Sequence, residues 1–241
     1  MVDSPMSDVR TSRDWVRRYL DFLEVDCSAP SLEALGRLTR AHLTSVPFES
    51  VTSILRQRAQ PEGPVPPLDP DLLLQGWEER RGGGLCFEIV EMFSRLLVAL
   101  GYRAEPVLGF ITFLGHHQAI LVEIDGRRLL VDGGGAPFFE PIPLDRVSEV
   151  RRAGLAYRFR PDEAAENCVQ DRWIDGAWAP FCRYELQQPD PQTREAAYQR
   201  HHTPGQSWVV DNLRLNSLRG RRGLHAPRRA AHPLHAGRET H

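Results

Sequence analysis

Asp125-Gly126 sits between two apolar runs, residues 116–124 and 127–132, and it is the feature that most limits how this chain can fold. An Asp-Gly pair in that setting favours a two-residue type I′ loop, which sets the register of the two strands it joins. Ile124 then faces Arg127, and counting outward puts Asp132 opposite Ala119. His117 is two residues from Ala119, so it shares that face. It is therefore a diagonal neighbour of Asp132, about 7–8 Å away at the backbone and within side-chain reach. His116 points to the opposite face, and a three-residue loop would exchange the two histidines.

The patterning on either side of this hairpin differs. Residues 13–105 read as mostly helical. Trp15, Tyr19, Leu20 and Leu23 form one apolar face, and Leu32, Leu35, Leu38 and Leu43 begin another. The stretch 58–70 holds five prolines and reads as a surface loop. From Pro106 to about Pro191 the spacing turns to short strands at 107–113, 119–124, 128–131, 156–159, 173–174 and 183–186, with a second hairpin mark at Asp175-Gly176. Such a run suits a small antiparallel barrel or curled sheet. Residues 1–12 are polar and read as frayed.

One cysteine stands out by position. Gly82-Gly83-Gly84-Leu85-Cys86 leads into Ile89, Val90, Phe93, Leu96, Leu97 and Leu100 at helical spacing, closed by Gly101. This places Cys86 in the first turn of a helix, where unpaired N–H groups and the positive end of the macrodipole favour a thiolate. The glycines permit a sharp turn and a close approach by a substrate. A thiol, an imidazole and a carboxylate in this arrangement suit nucleophilic catalysis: Cys86 attacks, His117 carries the proton and Asp132 fixes the tautomer. The competing reading for Cys86 alone is a buried packing residue. The base and acid spaced to reach it favour the triad.

At these residues the chain resembles the arylamine N-acetyltransferase family, including the related polyketide amide synthases. Val46-Pro47-Phe48-Glu49-Ser50, Gly83-Gly84-Leu85-Cys86-Phe87-Glu88, His117 to Val122 and Leu130-Val131-Asp132-Gly133-Gly134 match its motifs, while Trp173 to Leu186 and residues 207–212 are similar to its later strands. The resemblance implies an α+β fold. It would have an N-terminal helical bundle (1–105) carrying the nucleophile, an antiparallel β-barrel (106–191) carrying His117 and Asp132, and a shortened C-terminal lid (192–218) around a cysteine-protease-like Cys-His-Asp core. It also implies a substrate site at Phe48, Leu85, Gly133, Gly134 and Gly135.

Three positions depart from the family pattern. Gly82 stands where the family has an arginine, with Arg80 and Arg81 upstream. Gly135 replaces an aromatic residue, a place that Phe138 or Phe139 could fill. Recognisable sequence stops near Leu218.

The expected activity is transfer of an acyl group from acetyl-CoA, or a related thioester, to a small-molecule amine. No cofactor would be permanently bound. A second reading is an amide synthase that takes a polyketide chain from an acyl carrier protein to an aryl amine. A third is a thiol hydrolase of the papain or transglutaminase type. Papain-like enzymes carry an oxyanion glutamine six residues before the cysteine, and Arg80 stands there.

Composition fits a cytoplasmic bacterial enzyme. No apolar run approaches the ~20 residues that cross a bilayer, and no signal-peptide pattern opens the chain. Cys27, Cys86, Cys168 and Cys182 lack metal-site spacing. All thirty basic residues are arginine, which reads as bacterial base composition. The stretch 219–241, with six arginines, four histidines and one acid, reads as a solvated tail. With the whole chain at −2 and this tail at +5, residues 1–218 stand at −7, and that acidic body argues against nucleic acid as a partner.

Overall fold

Helical spacing in the first hundred residues becomes α1 (Pro5–Leu23), α2 (Leu32–Ser45), α3 (Val51–Ala59), α4 (Pro70–Glu78) and α5 (Cys86–Ala99). The structure, a computed structural model, describes residues 5–79, 82–134, 138–152 and 154–216. Caps fix several of the helix ends. Ser31 Oγ accepts the Ala34 N–H, Asp69 accepts those of Asp71 and Leu72, and Gly101 (φ +92°) closes α5 in the left-handed region. Tyr19, Leu35, Leu38, Trp77, Phe93 and Leu96 pack into one core with Ile120, Val122 and Val131, so the helices rest on one face of the sheet.

That sheet has eight antiparallel strands in the order β5-β4-β3-β2-β9-β8-β7-β6 and curls into a nearly closed barrel. Its strands are β2 (Arg103–Phe110), β3 (Leu114–Ile124), β4 (Arg127–Val131), β5 (Ile142–Pro143), β6 (Ser148–Arg152), β7 (Leu155–Asp162), β8 (Asn167–Ile174) and β9 (Ala177–Glu185). The period of two sorts the side chains of β3: Ile120 and Val122 face the helices, while Ala119 and Leu121 face the barrel interior with Val107, Phe138, Phe159 and Tyr184. Both hairpin turns have positive φ at both central residues, as a type I′ loop requires, at Asp125-Gly126 and at Asp175-Gly176. Ile124 pairs with Arg127 and Ile120 with Val131, the register expected from the first loop.

After β9 come α6 (Pro191–His202) and β10 (Leu215–Asn216), which pairs with β1 (Phe48–Glu49). Helix α6 is seated on β3 at Gly115, where a Cβ would lie 2.3 Å from Cβ of Ala197.

Several expectations need correction. Residues 5–12 belong to α1 rather than to a frayed end. Leu32, at the first position of α2, is 44% exposed, so the buried face of that helix starts at Ala34 and Leu35. Residues 207–212 form turns and not a strand, with the Val210 and Asp211 N–H groups both bonded to the Ser207 carbonyl. Gly135, Arg80, Arg81 and the 219–241 tail lie outside the described residues. Among the described residues, no helix is long and apolar enough to cross a membrane.

Candidate active site

The turn before Cys86 is held from both sides. The Glu49 carboxylate accepts the Gly83 N–H at 2.9 Å, and Trp77 Nε1 donates to the Gly83 carbonyl at 3.0 Å. The Glu49 N–H bonds the Gly84 carbonyl at 2.9 Å, so the Pro47-Phe48-Glu49 segment lies directly against the glycine run. A Cβ on Gly83 would fall 1.8 Å from the Pro47 carbonyl oxygen, which explains why glycine is needed there. Where the family has an arginine, Gly82 adopts φ +147°, and Glu49 instead engages Thr52 through both its backbone N–H and its hydroxyl.

Leu85 is fully buried against Val209 and Val210, and half-buried Phe48 packs beside it. The Leu85 N–H donates to Glu88 at 2.9 Å, which fixes the entry into α5. Glu88 also meets Arg56 at 2.7 Å and His202 at 3.0 Å. Burial opposes its charge, but His202 and Arg56 hold its carboxyl well below the usual carboxylate range.

Cys86 is 1% exposed. His117 Nε2 contacts Asp132 Oδ2 at 2.7 Å, which leaves Nδ1 as the nitrogen available to the thiol. Burial alone would lower the imidazole's pKa. The Asp132 charge and hydrogen bond, together with hydrogen bonding to Cys86, raise it to about 10. Asp132 is fixed in turn: Oδ1 accepts the Gly134 N–H at 2.9 Å and Oδ2 accepts the Tyr184 hydroxyl at 3.2 Å. A Cβ on Gly134 would sit 2.9 Å from Cβ of Cys86 and 3.2 Å from Cε1 of His117, so only a glycine lets this strand end pass so close.

His116 faces away from this pair. Its Nδ1 bonds Thr112 at 2.6 Å and its ring stacks on Phe113. The remaining thiols are of a different kind. Cys27 is exposed, burial pushes Cys168 up to about 12, and Cys182 rises further, again mainly through burial.

Phe138 packs edge-on against Tyr157 and Phe159 in the barrel, and Phe139 lies beneath Arg152.

Sequence reasoning missed the contacts made by α6. His201 Nε2 lies 3.5 Å from Cys86 Sγ, and Tyr198 packs on Phe87. The adjacent pair His201-His202 at the end of a polar helix was the available signal. Tyr184 was also missed, although its parity on β9 points it into the barrel.

A helical bundle resting on an eight-stranded barrel, with cysteine, histidine and aspartate brought together where they meet, defines an α+β protein with a buried Cys-His-Asp site. Residues 31–218 match the family model described as N-acetyltransferase, and the chain belongs to that family, the arylamine N-acetyltransferases and their relatives.

It is similar to Proansamycin X synthase of Amycolatopsis mediterranei, 33% identical over 47% of this chain and 45% of that one. It is also similar to an arylamine N-acetyltransferase / N-hydroxyarylamine O-acetyltransferase of Salmonella typhimurium, 30% identical over 50% of this chain and 43% of that one. The chain thus spans less than half the length of these two relatives. The solved arylamine N-acetyltransferase of Mycobacterium marinum in complex with CoA shares the fold, with a TM-score of 0.70 at 22% identity, covering 84% of this chain and 76% of that one.

Proposed function

We propose that the protein moves an acyl group from a thioester to an amine through a thioester formed on Cys86. The observation that carries this reading is the 2.7 Å His117–Asp132 pair set against Cys86 at the start of α5. In the first step the thiolate attacks the donor carbonyl, a new C–S bond forms, and the donor's own C–S bond breaks. The departing thiolate takes its proton from His117. An amine then attacks the acyl-enzyme and gives its proton to His117, and the C–Sγ bond breaks to leave an amide. Asp132 holds the imidazole throughout. Backbone N–H groups in the first turn of α5 are placed to stabilise the oxyanion.

Residues 1–105 supply the nucleophile on this reading, and residues 106–191 supply the base and its carboxylate. On this reading Phe48, Leu85, Gly133 and Gly134 border the acyl position, while Gly135, the fifth expected position, lies outside the described residues. Family membership and the CoA complex of the mycobacterial relative support acetyl-CoA as donor and a small aryl amine as acceptor.

The similarity to Proansamycin X synthase favours a second reading, in which a longer acyl chain arrives on a carrier protein. Incubation with acetyl-CoA, and separately with a carrier-bound acyl chain, followed by intact mass measurement, decides between them. The reading expects an acyl adduct that is lost on adding an amine and absent in Cys86→Ala. An adduct that persists in Cys86→Ala would overturn it.

A further inference from the structure

A second imidazole touches the sulfur. His201 comes from α6, an element separate from the β3 strand that carries His117, and its Nε2 is 3.5 Å from Cys86 Sγ. It is 1% exposed, and its ring packs against Phe87 with centroids 5.3 Å apart.

Its position is held by its neighbour. His202 Nδ1 donates to the Tyr198 carbonyl at 2.8 Å and His202 Nε2 meets Glu88 at 3.0 Å, the carboxylate that also caps the nucleophile turn. The end of α6 is thereby tied to the start of α5, and His201 is carried to the thiol.

We propose that His201 is a catalytic residue whose neutral imidazole donates its Nε2–H to the Cys86 thiolate. It would stabilise that thiolate in the resting enzyme and again as the sulfur departs from the acyl group. The proposal rests on Cys86 being the nucleophile. No proton leaves His201 at any step: His117 gives and receives the proton, while the electron pair returning to Sγ on C–S cleavage meets the His201 N–H.

The other ring nitrogen agrees with this assignment. His201 Nδ1 is buried without a hydrogen-bond partner among the described residues. With the proton on Nε2, Nδ1 is a bare acceptor, which costs less to leave unpaired than a buried N–H would. Burial, assisted by His202 and by His116 and His117 of β3, holds the imidazole well below the ordinary histidine range against the opposing pull of Glu88 on α5. The thiol therefore meets two unlike imidazoles, one paired to a carboxylate and raised, the other kept neutral. Such a division is how acid–base roles are separated within one site.

The test reads the thiolate directly, by ultraviolet thiolate absorbance against pH, each protein measured against its Cys86→Ala counterpart. His201→Leu removes the donor, whereas His201→Gln keeps an N–H at the same reach. A charge-assisted hydrogen bond is worth ~1.5–3 kcal/mol, so the midpoint in His201→Leu should rise by about one to two pH units. His201→Gln should stay near the unmodified protein. His201→Asn, whose amide is too short to reach, should follow Leu and serves where Leu fails to fold. Equal midpoints in the Gln, Asn and Leu variants and the unmodified protein would overturn the proposal, as would a shift in Gln as large as in Leu. The measurement needs no substrate, so it is independent of which acyl donor the enzyme uses. Loss of the absorbance step itself would instead count against Cys86 as nucleophile.

Discussion

Two adjacent histidines on β3 have opposite surroundings, and one residue of register separates them. His117 faces Asp132 and the thiol, and His116 faces Thr112 and Phe113. His117→Ala should therefore slow acyl-enzyme formation by roughly 10²–10⁴-fold, the usual range for a positioned acid–base group. His116→Ala should leave that rate within a few-fold of the unmodified protein. Rapid-quench intact mass measurement of both variants checks this, and the reverse ranking would mean that the roles are exchanged. Gly134 tests the same site through shape. In Gly134→Ala the new methyl would have to displace the Cβ of Cys86 or the imidazole edge, both within 3.2 Å. Overpacking of this kind costs about 1–3 kcal/mol. Misplacing reacting groups by even ~1 Å can cost ~10²-fold in rate, so acylation should fall far more than the melting temperature suggests. A variant that loses stability but acylates normally would show that the close approach is only structural.

At the scale of elements, Glu88 joins three helices at one point. It caps α5 through the Leu85 N–H, meets Arg56 of α3 and meets His202 of α6. Glu88→Gln keeps the size of the side chain but leaves Arg56 without its buried counter-charge and weakens the contact with His202. Breaking such a pair costs roughly 3–5 kcal/mol, and the cost should appear in urea unfolding together with faster alkylation of Cys86 as α6 loosens. Unchanged stability would mean that the charges are satisfied elsewhere.

This junction also marks where the sequence stopped being readable. The β3–β4 hairpin was legible because Asp125-Gly126 is a local signal, and α5 because its apolar residues repeat over fourteen positions. The contact of α6 with Cys86 joins residues 115 apart, and the helix is polar enough to carry no amphipathic stripe. Strand β6, Ser148–Arg152, is an edge strand of mostly exposed polar residues and offered no alternation to find. Residues 207–212 were expected as a strand only from their similarity to the family's later strands, yet backbone hydrogen bonds to the Ser207 carbonyl turn them.

For the molecule as a whole, the buried histidines set how stability depends on pH. His42 stacks on Phe93 at 4.3 Å, and its Nδ1 lies 3.0 Å from the Tyr19 hydroxyl. Burial, only partly offset by a backbone contact with Gly133, lowers its pKa to about 3. His116 is lowered to about 4, mainly by burial and then by His117 and Arg200. Below pH 6.5, the ordinary value for histidine, the unfolded chain binds protons that these folded side chains refuse, so stability falls as pH falls.

His117 has the opposite sign. Because its folded value is raised to about 10, its contribution is fully present below pH 6.5 and is lost as pH rises toward 10. Stability should therefore peak near pH 6.5 and decline on both sides. Carboxylates such as Glu88 titrate from about 4.5 downward in the unfolded chain, so the window between pH 6.5 and 4.5 reports mainly on the histidines. Each one contributes a slope of up to about 1.4 kcal/mol per pH unit. His42→Asn, whose amide oxygen takes the place of Nδ1, can still accept from Tyr19 but cannot bind the proton. It should be less stable at pH 7, yet its unfolding free energy should fall less steeply between pH 6.5 and 4.5, by about one proton's worth. Urea titrations at half-unit pH steps measure that slope, and an identical slope in the two proteins would mean that His42 is already protonated in the folded state.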